Sequence, residues 1–174
     1  MTITISPAAP RDAVEIDELL HTCFPRPAEA VLVKQLAIDG DLVLVLLARD
    51  ETTRELCGLA ALSRMHVDVD GEEVPAVALA PVAVLPAFRS SGVAEALVQG
   101  CIDWMRDAGA AMVFVLGEPG YYGRFGFSTE LAEGFESPYA GPFFMAMAPQ
   151  CHAPEGARGR AEHAPAFAAL TEDA

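Results

Sequence analysis

Arg89-Ser90-Ser91-Gly92-Val93-Ala94 sets one arginine and three small residues directly ahead of an amphipathic helical pattern. That arrangement is suited to holding an anion. The first amides of a helix have no intrahelical acceptor, and the helix dipole adds partial positive charge at the same point. Small side chains at Ser90, Ser91 and Gly92 let a phosphate come close to the backbone. No acidic residue lies between Val74 and Ala94, although the chain carries a formal net charge of −14. The chemistry indicated is binding of a phosphate-bearing ligand. It is not that of a G-x-x-x-x-G-K-[ST] loop, whose lysine and metal-binding hydroxyl have no counterpart here, nor of a G-x-G-x-x-G turn. Nucleoside triphosphatases and hydride-transfer enzymes lose their main support on that ground. Alone, R-x-x-G-x-A also describes a helix-capping loop with a surface arginine.

The elements that must position this turn follow from periodicity. Thr2–Ser6 reads as a strand, residues 11–24 as a helix with Ile16, Leu19, Leu20 and Cys23 on one face, and residues 28–38 as a second helix. Leu42–Ala48, Cys57–Val69 and Val74–Val84 form three strands, the last two joined by an Asp70-Gly71 hairpin turn that needs positive φ at both positions. Pro75 and Pro81 inside the third strand predict a bulge or splay, since proline gives nothing to a ladder. Ala94, Leu97, Val98, Cys101, Ile102 and Met105 follow the helical repeat, with Gly109 placed as the C-cap. Ala111–Leu116 is a buried strand, residues 120–125 a short helix, and Phe127 and Phe143–Met147 two closing strands. A helix between two buried strands is a crossover that pairs them in parallel. The fold class is mixed α/β.

Composition narrows the partners. At 174 residues, 52% hydrophobic and 21% charged, the chain fits one domain, residues 1–174, with a core over 2–148 and a surface-packed tail at 149–174. Lys34 is the only lysine and the arginines are scattered, which disfavours nucleic acid. The N-terminus lacks a signal-peptide pattern, and no apolar run is long enough to span a bilayer. Cys23, Cys57, Cys101 and Cys151 show no C-x-x-C pair and read as reduced thiols of a cytoplasmic protein. His21, His66, His152 and His163 show no metal-ligand spacing, so no metal is expected. Asp68, Asp70, Glu72 and Glu73 read as a solvated hairpin face.

Two strings carry a family resemblance. Val82-Ala83-Val84-Leu85-Pro86-Ala87-Phe88-Arg89-Ser90-Ser91-Gly92-Val93-Ala94 resembles the acyl-CoA-binding motif of the GNAT superfamily of N-acyltransferases. Glu118-Pro119-Gly120-Tyr121-Tyr122-Gly123-Arg124-Phe125-Gly126-Phe127 is similar to that superfamily's short helix, with a tyrosine four residues ahead of a Gly-Phe pair. The second string also resembles a bacterial subgroup of N-acetyltransferases. The element order agrees from Thr2 to Met147.

The resemblance implies the GNAT fold, a mostly antiparallel sheet with a splayed parallel central pair and flanking helices. It implies acetyl transfer from acetyl-CoA to a primary amine of a small molecule or peptide, by direct attack in a ternary complex. The pantetheine arm would lie on Val82, Ala83 and Val84, and the pyrophosphate on the amides of Ser90, Ser91, Gly92, Val93, Ala94 and Glu95 with Arg89 close by. Val84 would supply an oxyanion-binding amide and Tyr122 the acid for the leaving thiolate. Arg124 is either a helix-end cation or a cofactor contact. Some family members place a glutamate base where this chain has Gly117. Glu118 stands beside it, as a base acting through water or as a favourable helix N-terminal charge. A non-catalytic acyl-CoA-binding domain and an O-acyltransferase would use the same cofactor site. A homodimer through the apolar closing strands is left open.

Overall fold

Proline and charge set up the first helix. In a computed structural model of the chain, which describes residues 1–150 and 156–172, β1 (Ile3–Pro7) passes through a 3-10 turn at Pro10–Asp12 into α1 (Ala13–Cys23). Proline suits that first turn because its missing N–H would be unsatisfied there anyway. The buried Asp12 carboxylate accepts the Ala9 amide at 2.7 Å and pairs with Arg49 at 3.0 Å, while Glu15 takes the same guanidinium at 2.9 Å. α2 (Ala28–Asp39) stops at Gly40, which takes φ +76°. β2 (Leu42–Asp50), β3 (Leu56–Val69) and β4 (Glu72–Val84) follow, with Asp70 and Gly71 at φ +52° and +87° in the two-residue turn the sequence predicts.

α3 (Val93–Ala108) buries Val93, Leu97, Val98, Cys101, Ile102 and Met105. It ends at Gly109, φ +80°, where the Ala110 amide reaches the Met105 carbonyl at 3.0 Å in a Schellman closure. β5 (Met112–Leu116), α4 (Pro119–Tyr122), α5 (Thr129–Glu133), β6 (Phe135–Glu136), β7 (Phe144–Met147), β8 (Gly159–His163) and α6 (Ala168–Glu172) complete the described chain. No helix among the described residues is long and apolar enough to cross a membrane.

The chain divides into two compact units. The first holds Met1–Leu62, Pro81–Cys101 and the residues from Pro165 onward, with strand order β1-β2-β3-β4. Ile16, Leu19, Leu20, Ala30 and Val33 of α1 and α2 pack with Val45, Leu47, Leu59, Ala61 and Ala83. Leu46 points the other way, toward Gly100 of α3, where a Cβ would meet its Cδ1 at 3.0 Å. β2 is therefore covered on both faces, which is why it reads as a continuous apolar run without alternation.

The second unit holds Ser63–Ala80 and Ile102–Ala164, with order β3-β4-β5-β7 and β8 on β3. β4 and β5 pair in parallel from Ala76↔Met112 to Leu79↔Val115, and the ladder ends two residues short of Pro81. Phe114 anchors the interior, stacked on Phe144 at 5.3 Å and edge-on to Phe135 at 5.4 Å.

Two expectations are corrected here. Phe127 begins no strand: Ser128 makes a single bridge to Ala146, and its hydroxyl accepts the Leu131 amide at 3.3 Å to cap α5. The segment after Met147 is more than a surface tail. Met65–Val67 pairs with Ala161–His163, and Ala161, Ala164 and Phe167 are buried. In β8, Arg160 and Glu162 face outward and Ala161 inward, so one small alanine carries the whole apolar signal of that strand. Cys151 and His152 lie outside the described residues.

Candidate active site

The turn ahead of α3 is built from backbone. Pro86–Phe88 makes a 3-10 turn, after which Ser90 and Gly92 adopt left-handed φ of +60° and +85° on either side of Ser91. The Ser91 hydroxyl donates to the Phe88 carbonyl and holds the loop closed. The first α3 bond runs from the Ala96 amide to the Gly92 carbonyl at 3.0 Å, so the Val93 and Ala94 amides ahead of it have no acceptor within the helix. A Cβ at Gly92 would meet nothing within 4 Å, so the loop is open on that side. Alternating left-handed residues at a helix start form a concavity of N–H groups that suits an anion. Glu95 lies in the same first turn of α3. The donors and the open space fit a pyrophosphate.

β4 leads into this turn under close constraint. Ala83 and Val84 are buried and Val82 half-buried. The Leu85 amide donates to the Cys57 carbonyl at 2.8 Å. A Cβ at Gly58 would stand 2.8 Å from the Ala83 carbonyl oxygen and 3.2 Å from Leu97 Cδ1, so glycine is what allows β3, β4 and α3 to close together. The Arg89 side chain turns back toward the strand, its Nε donating to the Val84 carbonyl at 3.0 Å. The expectation from sequence, Arg89 beside the phosphate, did not include the Val84 bond. Burial raises the Cys23 thiol pKa, against the opposing pull of the Arg89 guanidinium. Gly58 was missed: nothing local marks a glycine whose role depends on a strand 25 residues away.

The second unit holds the tyrosine. Glu118 starts α4, and its carbonyl accepts the Tyr121 and Tyr122 amides at 3.1 and 3.0 Å. The Tyr122 ring lies on Gly117: a Cβ there would be 2.3 Å from Cε2 and 2.7 Å from Cδ2. Tyr121 and Phe127 meet the same ring edge-on at 4.9 and 5.8 Å. Burial, with Tyr121 beside it, pushes the Tyr122 phenol above its usual value and keeps it protonated across the neutral range. Gly117 therefore has a steric reason to carry no carboxylate. Arg124 sits 4.6 Å over the Tyr121 ring and donates to the Tyr121 carbonyl at 3.3 Å, which makes it a cap on the aromatic cluster. Glu118 is exposed.

The sequence-derived residues thus fall into two sets. Val82, Ala83, Val84, Arg89, Ser90, Ser91, Gly92, Val93, Ala94 and Glu95 come together in the first unit, and Glu118 and Tyr122 sit at the two ends of α4 in the second. Among the described residues, no three His, Cys, Asp or Glu side chains are grouped to hold a metal. His21 pairs with Asp17 and the exposed His66 with Glu73.

A family model described as an acetyltransferase (GNAT) domain matches residues 4–129. The chain belongs to the GNAT acetyltransferase family. The uncharacterized N-acetyltransferase YhbS of Escherichia coli is 43% identical over 118 residues, covering 68% of this chain and 69% of that protein. YjhQ of Escherichia coli, also called an uncharacterized N-acetyltransferase, is 34% identical over 134 residues, covering 75% and 73%. Among solved structures, YhbS in complex with CoA superposes with a TM-score of 0.85 at 35% identity, over 95% of this chain and 92% of that one. A GNAT family acetyltransferase from Brucella melitensis in complex with acetyl-CoA gives 0.77 at 28% identity, over 95% and 98%. The mixed sheet with its parallel β4–β5 pair and flanking helices is thus a GNAT fold, as the resemblance implied.

Proposed function

We propose that this GNAT chain transfers the acetyl group of acetyl-CoA to a primary amine by direct attack in a ternary complex. The observation that carries the reading is the cradle of Ser90–Glu95: left-handed Ser90 and Gly92, open space at the bare Cα of Gly92, and an α-helix behind them. The two CoA-bound relatives support the same ligand. The pyrophosphate rests on those amides and the pantetheine arm on the backbone of Val82–Val84.

The amine nitrogen attacks the thioester carbonyl carbon, forming the C–N bond. The Val84 amide stabilises the oxyanion. Collapse breaks the C–S bond, and the thiolate takes the Tyr122 phenolic proton, which solvent then replaces. The ammonium proton leaves to water, through which Glu118 is the carboxylate that takes it up. Because Gly117 brings no base, the acceptor reacts in its neutral form and turnover rises with pH until Tyr122 ionises. The net charge of −14 favours a small cationic amine or a basic peptide terminus. The free thiols of Cys23, Cys57 and Cys101 suit a reducing cytoplasm.

The test is an amine library with acetyl-CoA, followed by thiol release, alongside thermal unfolding with CoA. CoA should raise the midpoint by mass action, and Gly92→Glu should abolish the shift. A shift without turnover on any amine would make the chain an acyl-CoA-binding module. No shift at millimolar CoA would overturn the cofactor assignment.

A further inference from the structure

We infer that the Arg89 side chain is a positioning residue for the end of β4 and not a ligand of the phosphates. The inference rests on the acyl-CoA reading above and assigns Arg89 a different task within it. The guanidinium is the nearest cation to the cradle in sequence, and simple electrostatics would aim it at the pyrophosphate. Its Nε–H goes elsewhere, donating to the Val84 carbonyl at 3.0 Å and turning the guanidinium back along the strand.

The other end of the same peptide unit is fixed too, since the Leu85 amide donates to Cys57 at 2.8 Å. The Val84–Leu85 peptide plane is therefore clamped from both sides. One residue back, the Ala83 carbonyl oxygen comes so near Gly58 that a Cβ there would stand 2.8 Å from it. The Val84 N–H lies in that Ala83–Val84 plane, one Cα from the plane Arg89 holds, so fixing the second plane limits how far the first can turn. That N–H is the group the thioester needs, and a donor aimed in advance is worth more than one that must reorient during reaction. Arg89 acts through Val84 and touches no reacting atom.

Glutamine and lysine separate the two roles. Gln Nε2 is attached at the same distance along the side chain as Arg Nε, so Arg89→Gln keeps the donor to Val84 and loses the charge. Arg89→Lys keeps the charge and moves its nitrogen one atom further out. Acetyl-CoA, which carries the thioester carbonyl, and CoA are each titrated calorimetrically into wild type, Arg89→Gln, Arg89→Lys and Arg89→Ala at low and high salt, and unfolding midpoints are taken for each. Arg89→Gln should bind acetyl-CoA within about threefold of wild type. Lys and Ala should lose about five- to tenfold, the size of one hydrogen bond, with the same salt dependence throughout. The inference is overturned if Arg89→Lys matches wild type while Arg89→Gln is weak and less salt-sensitive. It is also overturned if the midpoints fall and acetyl-CoA affinity does not change. Should Arg89→Ala fail to fold, the ranking of Gln against Lys still decides. A wild type that does not bind CoA overturns the acyl-CoA reading and this inference with it; binding with Lys ahead of Gln overturns the inference alone.

Discussion

The cradle ahead of α3 and the shelf under Tyr122 both depend on a glycine, for opposite reasons. Gly92 sits at φ +85° with nothing within 4 Å of where a Cβ would stand, so its requirement is conformational and local. Gly117 has no such φ, but a Cβ would run into the Tyr122 ring at 2.3 Å, so its requirement is steric and tertiary. The first region presents backbone groups, whose positions follow from dihedrals. The second presents one side chain, whose position follows from what it packs against. Substitutions in the cradle should therefore act on cofactor affinity, and substitutions around the shelf on turnover.

The sharpest way to break that comparison is Tyr122→Phe, which keeps the ring and its contacts and removes the proton. Loss of a general acid is worth about 10²–10⁴-fold, so kcat should fall by at least 10²-fold while CoA affinity stays within twofold. Steady-state kinetics with calorimetry on the same samples checks it. Equal losses in both would mean that the phenol binds the cofactor and does not serve as its acid. Because burial raises the Tyr122 pKa, the alkaline limb of kcat should lie above pH 10, and a limb well below that would remove Tyr122 from the acid role.

Acid should separate the two units in the same direction. His163 packs 4.7 Å from Tyr139, and burial lowers its pKa from 6.5 to about 4. A folded value below the unfolded one means the fold favours neutral histidine. Its contribution is complete above pH 6.5 and is lost as pH falls toward 4, by up to ~3 kcal/mol. Asp12 in the first unit is shifted the same way on the pH scale but with the opposite charge logic: the Ala9 amide, with Arg49 behind it, holds the carboxylate below 3.8. That stabilisation survives until the pH falls below the ordinary carboxylate range. Between pH 6.5 and 4.5 the second unit should loosen first, read as faster amide exchange in β7 and β8 than in β1 and β2 after correction for intrinsic rates. His163→Leu should flatten the difference; an unchanged difference would take His163 out of the account.

Legibility from sequence followed the same division between local and tertiary causes. α3 was readable to its cap because six apolar residues repeat at helical spacing and Gly109 closes them. The cradle was readable because its chemistry is a run of consecutive residues. β8 was not, since Ala161 alone faces inward and an alanine between Arg160 and Glu162 has no periodic signal. Gly58 and Gly117 were silent for a related reason: each answers to an atom brought near only by folding, the Ala83 carbonyl in one case and the Tyr122 ring in the other. Arg89 shows the limit most plainly. Its position in the motif was legible, and the direction of its side chain was not.

Gly117→Ala tests the steric half directly. One methyl cannot share 2.3 Å with a ring carbon, so Tyr122 must tilt, at about 1–3 kcal/mol for overpacking. Turnover should fall toward that of Tyr122→Phe, and combining the two should cost less than their sum because they act on one ring. Additive losses would mean that the shelf does not hold the phenol.

The smallest effects belong to the cradle and carry opposite signs at neighbouring positions. Gly92→Ala places a Cβ at φ +85°, costing about 1–2 kcal/mol in a site with room for the methyl itself. Ser90 already bears that kind of cost at φ +60°, so Ser90→Gly should relieve part of it, offset by the greater freedom glycine has when unfolded. Stability should therefore drop in the first variant and rise by no more than about 1 kcal/mol in the second. CoA affinity should drop with Gly92→Ala and hold with Ser90→Gly, because the second keeps the dihedrals that aim the amides. Chemical unfolding and CoA titration read both. If Ser90→Gly weakens CoA as much as Gly92→Ala does, the serine hydroxyl takes part in binding and the cradle is not made of backbone alone.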